Sequence, residues 1–207
     1  FHYKPVPLDD VMSEKVFNLY LKSLDPEKFY FTQADIDQLT VFHDKLDNAI
    51  KDENLGAPFA IFNRYTARVS QRLNYARQLL KKGFDFKQKE NYYYDREKVV
   101  WAKSEVEMQA LWRQRVKNDW LRLKLAGKDD KSIVETLDNR YLHSLNSIAK
   151  LKSEDAFQTF MNAYTMAIEP HTNYLAPRSA EDFDISMKLS LIGIGAVLTT
   201  KDDYTTV

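Results

Sequence analysis

Cysteine is absent from this 207-residue chain, glycine occurs five times and proline six, and no apolar run approaches the length of a membrane span. Without cysteine there can be no disulfide, no thiolate nucleophile and no zinc–thiolate centre, although compartment stays open because exported proteins also dispense with it. A transmembrane helix needs a hydrophobic stretch of about 18 residues or more. The opening FHYKPVPLDD lacks the basic segment followed by an apolar run that marks a signal peptide. Charge of one sign is missing too. Thirty basic residues balance thirty acidic ones and are spread along the chain, which argues against nucleic acid and against anionic membrane surfaces as partners.

What remains is polar, charged, helix-forming sequence with apolar residues at three- and four-residue steps. Val11, Met12, Val16, Phe17, Leu19, Tyr20 and Leu24 predict a first helix over 8–24, stopped by the Asp25–Pro26 pair. Thr32, with Asp35 three residues on, predicts an N-terminal anchor for a second helix. Its face is Ile36, Leu39, Phe42, Leu46 and Ile50, and NLGAP ends it. A third helix of about seven turns starts around Pro58 and closes before Gly83. The tyrosine-rich stretch from Phe84 has no sustained period and reads as a packed irregular connection. Three capped helices follow, with Ser104, Ser132 and Ser153 as expected caps, the first two in capping boxes with Glu107 and Glu135. The fold class is therefore mainly α, with about six helices. Beyond Pro177 the pattern changes: Ile185, Met187, Leu189 and Leu191 alternate with polar residues, and GAVLTT follows as a second β-like run. A boundary dividing 1–178 from 179–207 is the simplest reading, with the terminal TTKDDYTTV expected to be a truncated strand region.

Catalytic chemistry is thin. His2, His43, His143 and His171 form no HExxH pair and no i, i+4 pair, so no metal or other cofactor is expected, and His171 reads as a turn residue. The eleven serines include no GxSxG elbow, and Ser104, Ser132 and Ser153 read as helix caps. Adjacent acids such as Asp9–Asp10, Asp129–Asp130 and Asp202–Asp203 do not face one another on a regular element and read as helix-start or turn residues. Of Tyr92, Tyr93 and Tyr94, at least one must lie at the surface or an interface, because three consecutive rings cannot all point inward. LIGIGAVL is the remaining candidate. Gly193 and Gly195 free the backbone to expose N–H groups that can hold a carboxylate, and the following strand edge can pair with an extended peptide.

Taken together and in order, EPHTNYLAPR, MKLSLIGIGAVL and DDYTTV resemble the tail-specific proteases of the C-terminal processing peptidase family. There, a DPHTxYLxPR-like segment leads from a helical N-terminal domain into a PDZ domain that opens on a GIGA-like run. FHYKPVPLDDVMSEKVFNLYLKSLD and LWRQRVKNDWLRLKLAGKDDKSIVETLDNRY look like the corresponding helical region, so the resemblance covers nearly the whole chain. Glu169 stands where the family has aspartate, and Ile192 where close relatives carry glutamate. The resemblance implies a helical domain over 1–178 and the first PDZ strands over 179–207. It implies a bacterial periplasmic endopeptidase, peripheral to the inner membrane, that recognises nonpolar C-terminal tails and works through a serine nucleophile and a lysine base. No residue here matches either catalytic group, so the fragment is expected to be inactive. Substrate binding is implied at Gly193, Ile194, Gly195 and Ala196 for the carboxylate, with Val197 and Leu198 pairing the peptide backbone. The implied partners are substrate C-termini and an adaptor protein, with no nucleic acid and no membrane insertion. The alternative from the residues alone is a free-standing helical scaffold whose terminal β-run pairs with a partner.

Overall fold

The computed structural model describes residues 6–188, 199–201 and 204–206. They fall into two compact units, Phe1–Tyr174 and Leu175–Val207. In the first, α1 (Asp10–Leu24), α2 (Gln33–Leu39), a 3-10 turn (Thr40–Phe42), α3 (Leu46–Lys51), α4 (Gly56–Lys82), α5 (Glu105–Leu125), α6 (Asp130–Ala149) and α7 (Ser153–Ile168) follow one another. The second holds α8 (Pro177–Lys188) and an antiparallel pair, β1 (Thr199–Lys201) and β2 (Tyr204–Thr206), in the register Thr199↔Thr206.

The 27-residue helix α4 organises the first unit because its apolar stripe serves two cores in succession. Its first turns put Ile61 and Phe62 into a core with Val16, Phe17 and Tyr20 of α1 and Phe160 and Ala163 of α7. Its later turns put Val69, Leu73, Ala76 and Leu80 against Met108, Trp112 and Val116 of α5 and Ile133 and Leu137 of α6. Tyr65 packs against both clusters. Each core is closed by a helix pair, α1 with α7 in one and α5 with α6 in the other. Of the stripe expected for the first helix, Met12, Val16, Phe17, Tyr20 and Leu24 are buried, but Val11 is 76% exposed. Gly83 and Gly127 stand just past helix ends with φ of 68° and 85°, where a side chain would be strained.

Several local expectations need correction. The helix expected from 33 to 50 is broken by the 3-10 turn and three further residues. The break is held from 30 residues away: the buried Ser13 hydroxyl donates to the His43 carbonyl at 2.7 Å and accepts from the Leu46 N–H at 2.8 Å. That bond satisfies an N–H at the start of α3 that no local residue caps. Apolar periodicity continues through the break because both pieces still pack on the α1 core. At Ser104 the cap forms, yet Glu107 reaches back to the Lys103 N–H rather than to Ser104, so the box is not reciprocal. Ser132 is not a cap. Asp129 is, accepting from both the N–H and the hydroxyl of Ser132. Ser153 lies inside α7, whose start is secured by Asp155 accepting from the Lys152 N–H at 2.7 Å.

The alternation at Ile185 and Met187 is not a strand: both are in α8, which Pro177 opens from a first-turn position. Phe183, Ile185 and Met187 are all exposed, so period-two burial does not exist there. Leu189 and Leu191 lie outside the described residues. In the terminal run, 199–201 and 204–206 pair with each other in antiparallel fashion. The helix count is eight among the described residues, with no strand in the first unit.

Candidate functional site

The segment with the most distinctive sequence, from Glu169 onward, begins where α7 stops at Ile168. Glu169 is extended, with φ −154° and ψ 128°, as a residue before proline prefers. Its carboxylate folds onto the turn that follows, accepting from the His171 N–H and the Thr172 hydroxyl, both at 3.0 Å. Glu169 thus closes the turn itself, and His171 takes part through its backbone N–H. Further on, the Tyr174 N–H donates to Asn162 Oδ1 at 2.8 Å while its ring meets Phe157 edge to face. Lys15 of α1 donates to the Ala167 carbonyl, satisfying a last-turn group. These contacts give the chain leaving α7 a fixed course. The residues read as a carboxylate loop and strand, Gly193, Ile194, Gly195, Ala196, Val197 and Leu198, lie outside the described residues.

A second ordered feature follows α1. Asp25, 2% exposed, accepts hydrogen bonds from the N–H groups of Phe29, Tyr30 and Phe31 at 2.8 to 2.9 Å. Burial pushes its carboxyl up, opposed by these three donors and by the Arg96 charge. The loop it holds delivers Phe29 to the second core, where the Trp112 indole N–H donates to the Phe29 carbonyl at 2.7 Å. The guanidinium carbons of Arg96 and Arg115 lie 4.9 and 4.1 Å from the Phe29 ring centre. Sequence reading missed this hub, although an aspartate before proline followed by three aromatics was a visible signal.

The connection between α4 and α5 packs on α5 without regular structure, as expected. Glu90 pins it by ion pairs with Arg113 and Lys117, and those two cations hold its carboxyl down at about 2. Tyr93 and Tyr94 are 70% and 62% exposed, which meets the expectation for the tyrosine triplet.

The Ser23, Ser144, Ser147 and Ser186 hydroxyls donate to backbone carbonyls of their own helices, and among the described residues no three acidic or histidine side chains cluster as metal ligands. His143 lies exposed on α6, and the His43 ring Nδ1 is 2.7 Å from the Thr40 carbonyl. Asp9 and Asp129 are helix caps, as their positions implied. No described helix is long and apolar enough to cross a membrane.

Comparison with known proteins places these features in a family. Residues 1–178 match the family model for the tail specific protease N-terminal domain. A tail-specific protease of Haemophilus influenzae is 39% identical over 203 residues. That alignment takes in 98% of this chain and 29% of the relative, so the chain spans less than a third of the length of the protein it matches. The family domain ends within the segment that follows α7, just inside α8. With a family model covering most of its length and a relative aligned over nearly all of it, the chain belongs to the tail-specific protease family.

Proposed function

We propose that this chain is the noncatalytic N-terminal region of a bacterial periplasmic serine endopeptidase that degrades proteins with nonpolar C-terminal tails. Its helical unit helps enclose the proteolytic site, and the segment after α7 leads into a PDZ domain whose carboxylate loop is Gly193 to Ala196. Val197 and Leu198 supply the edge on which the tail adds as a strand. The observation that carries the reading is the family match over 1–178 together with the relative aligned across 98% of the chain. A supporting role agrees with how several polar groups are used: Ser13 bridges the break before α3, Asp25 holds the loop at 29–31, and Asp35 pairs with Arg64 and Arg68. The serine nucleophile and its lysine base belong to the remainder of the protease, where the lysine must lose its proton to serve as base. An adaptor protein docks on the helical unit.

Titration of the full-length protein with a peptide ending in apolar residues tests the tail site. Binding should weaken when Gly195 is replaced by tryptophan, whose side chain fills the space where the backbone must approach the carboxylate, and should be lost when the peptide is amidated. Equal affinity for the free-acid and amidated peptides removes the carboxylate loop from the proposal.

A further inference from the structure

The basic residues are spread along the sequence, but the fold gathers a group of them at one end of the second core, where α4 and α5 stop and α6 starts. Lys81 and Lys82 form the last turn of α4, and Phe84 just beyond it meets Trp120 of α5 edge to face, with ring centres 5.7 Å apart. Trp120 in turn donates its indole N–H to Asp130, the first residue of α6, at 3.3 Å. α5 brings Arg122 and Lys124 in its last turn and Lys128 shortly after it, and Lys131 stands in the first turn of α6. Lys87 follows Phe86, whose ring centre is 5.6 Å from the Lys124 ammonium. All of these cations are exposed. The carboxylates beside them are fewer: Asp85, Asp129, Asp130 and Glu135, of which Asp129 caps α6 and Asp130 pairs with Lys124 at 3.0 Å. Asp138, one turn beyond Glu135, is taken by Arg77.

Helix ends account for part of this cluster. A cation in the last turn meets the negative end of the helix dipole, which suits Lys81, Lys82, Arg122 and Lys124. It gives no reason for Lys87 in the connection, and Lys131 opposes the positive end of α6. Among the described residues Lys82, Lys87, Arg122 and Lys131 have no ion-pair partner. Between the cations the surface is apolar. Leu121 is 38% exposed and Leu125, one turn on, is 79% exposed, the most exposed large apolar side chain among the described residues.

We infer that this end of the second core, centred on Leu125, docks the protein on the surface of an anionic lipid bilayer. Headgroup phosphates meet the cations, and the two leucines enter the boundary between headgroups and acyl chains without any helix crossing it. Apolar side chains among long basic ones are suited to that boundary, since lysine and arginine stems lie along apolar surface while their charged heads stay in water. The looseness of the cations favours a fluid surface over a folded acidic partner, because holding rotamer-rich side chains in one geometry costs binding energy. Within the described residues only Lys124 and Lys128 of the cluster donate side-chain hydrogen bonds, to Asp130 and to the Thr136 hydroxyl. None of this draws on the protease reading.

Sedimentation of the full-length protein with vesicles tests it, phosphatidylcholine alone against phosphatidylcholine mixed with phosphatidylglycerol. Binding is expected on the anionic vesicles only, and should weaken as salt shortens the Debye length from about 10 Å to about 3 Å. Lys87→Ala and Lys128→Ala should each weaken it about fivefold, the effect of one basic residue near a charged surface. Leu125→Ser should weaken it several-fold with no change of charge. Lys45→Ala and Val11→Ser, at exposed positions beside the first core, should leave binding unchanged. Equal sedimentation with neutral and anionic vesicles, or parent-like binding by both Lys128→Ala and Leu125→Ser, overturns the proposal. So does binding of polyglutamate with the anionic vesicles left unbound, which makes the partner an acidic protein. Tail-selective cleavage on the same preparation reports the protease reading separately, and its failure leaves the vesicle result standing.

Discussion

Asp35 offers the sharpest test of how the helical unit is held together. Its side chain is 1% exposed and accepts from the Thr32 N–H at 3.1 Å, the Thr32 hydroxyl at 3.0 Å, Arg64 at 2.8 Å and Arg68 at 2.7 Å. Burial acts to raise its carboxyl, but the bonds from Arg68, Thr32 and Arg64 outweigh it and hold the group at about 2. A carboxylate depressed by roughly 2 pH units from its unfolded value contributes about 2 to 3 kcal/mol of stability. Because the folded value is the lower one, that contribution is complete above pH 4 to 5 and is lost as pH falls towards 2. In Asp35→Asn the two arginines keep their charge without a carboxylate, and an amide NH2 faces donors. Removing one partner of a buried pair costs about 3 to 5 kcal/mol. Arg64 and Arg68 are 36% and 28% exposed, so water recovers part of this and about 2 to 3 kcal/mol is expected. Urea unfolding followed by tryptophan fluorescence reads this unit, since Trp101, Trp112 and Trp120 all lie within it. The variant should be weaker by that amount at pH 7 and should lose less stability than the parent between pH 5 and pH 2. A difference under about 0.5 kcal/mol at pH 7, with parallel acid profiles, refutes the assigned role; so small a change is typical of surface substitutions.

Other sites give independent checks. Ser13→Ala strands the His43 carbonyl and the Leu46 N–H inside the first core, and should cost about 1 to 3 kcal/mol in the same unfolding measurement. Glu90→Gln removes both ion pairs that fasten the α4–α5 connection to α5, so limited proteolysis should cut between 84 and 103 several-fold faster, with helix content by circular dichroism unchanged. Because Arg113 and Lys117 hold Glu90 at about 2, the parent should show the same acceleration only when pH approaches that value, and not between pH 7 and pH 5.

Long stretches of the helical unit are legible from local pattern because local pattern is what determines them. Asp9 caps α1, Asp25–Pro26 ends it, and the α4 stripe from Phe62 to Leu80 is buried as its spacing implies. The errors share a cause of another kind. Nothing within residues 40–45 requires a helix break. The requirement comes from Ser13, distant in sequence and buried against the turn. Ser132 and Asp129 compete for one cap, and the carboxylate, with two acceptor oxygens, takes both the N–H and the hydroxyl of its rival. The Ile185–Met187 alternation misled because period two was inferred from apolar identity alone, whereas those side chains are exposed on a helix that Pro177 starts. That α4 serves two cores could not be read from its stripe, which is continuous. The division depends on which partners meet each half. For the candidate site the family was legible through EPHTNYLAPR and its neighbours, while the Asp25 hub became visible only once distant segments were placed side by side.

The central claim is that these helices belong to a protease that chooses substrates by their C-terminal tails. Its most direct test is the rate at which the full-length protein cleaves two versions of one unfolded substrate, identical except for an apolar or a charged C-terminal tail. The expected result is cleavage strongly favouring the apolar tail, lost in Gly195→Trp, with no turnover by the 207-residue chain alone. Equal rates for the two tails, or turnover by the isolated chain, contradict it.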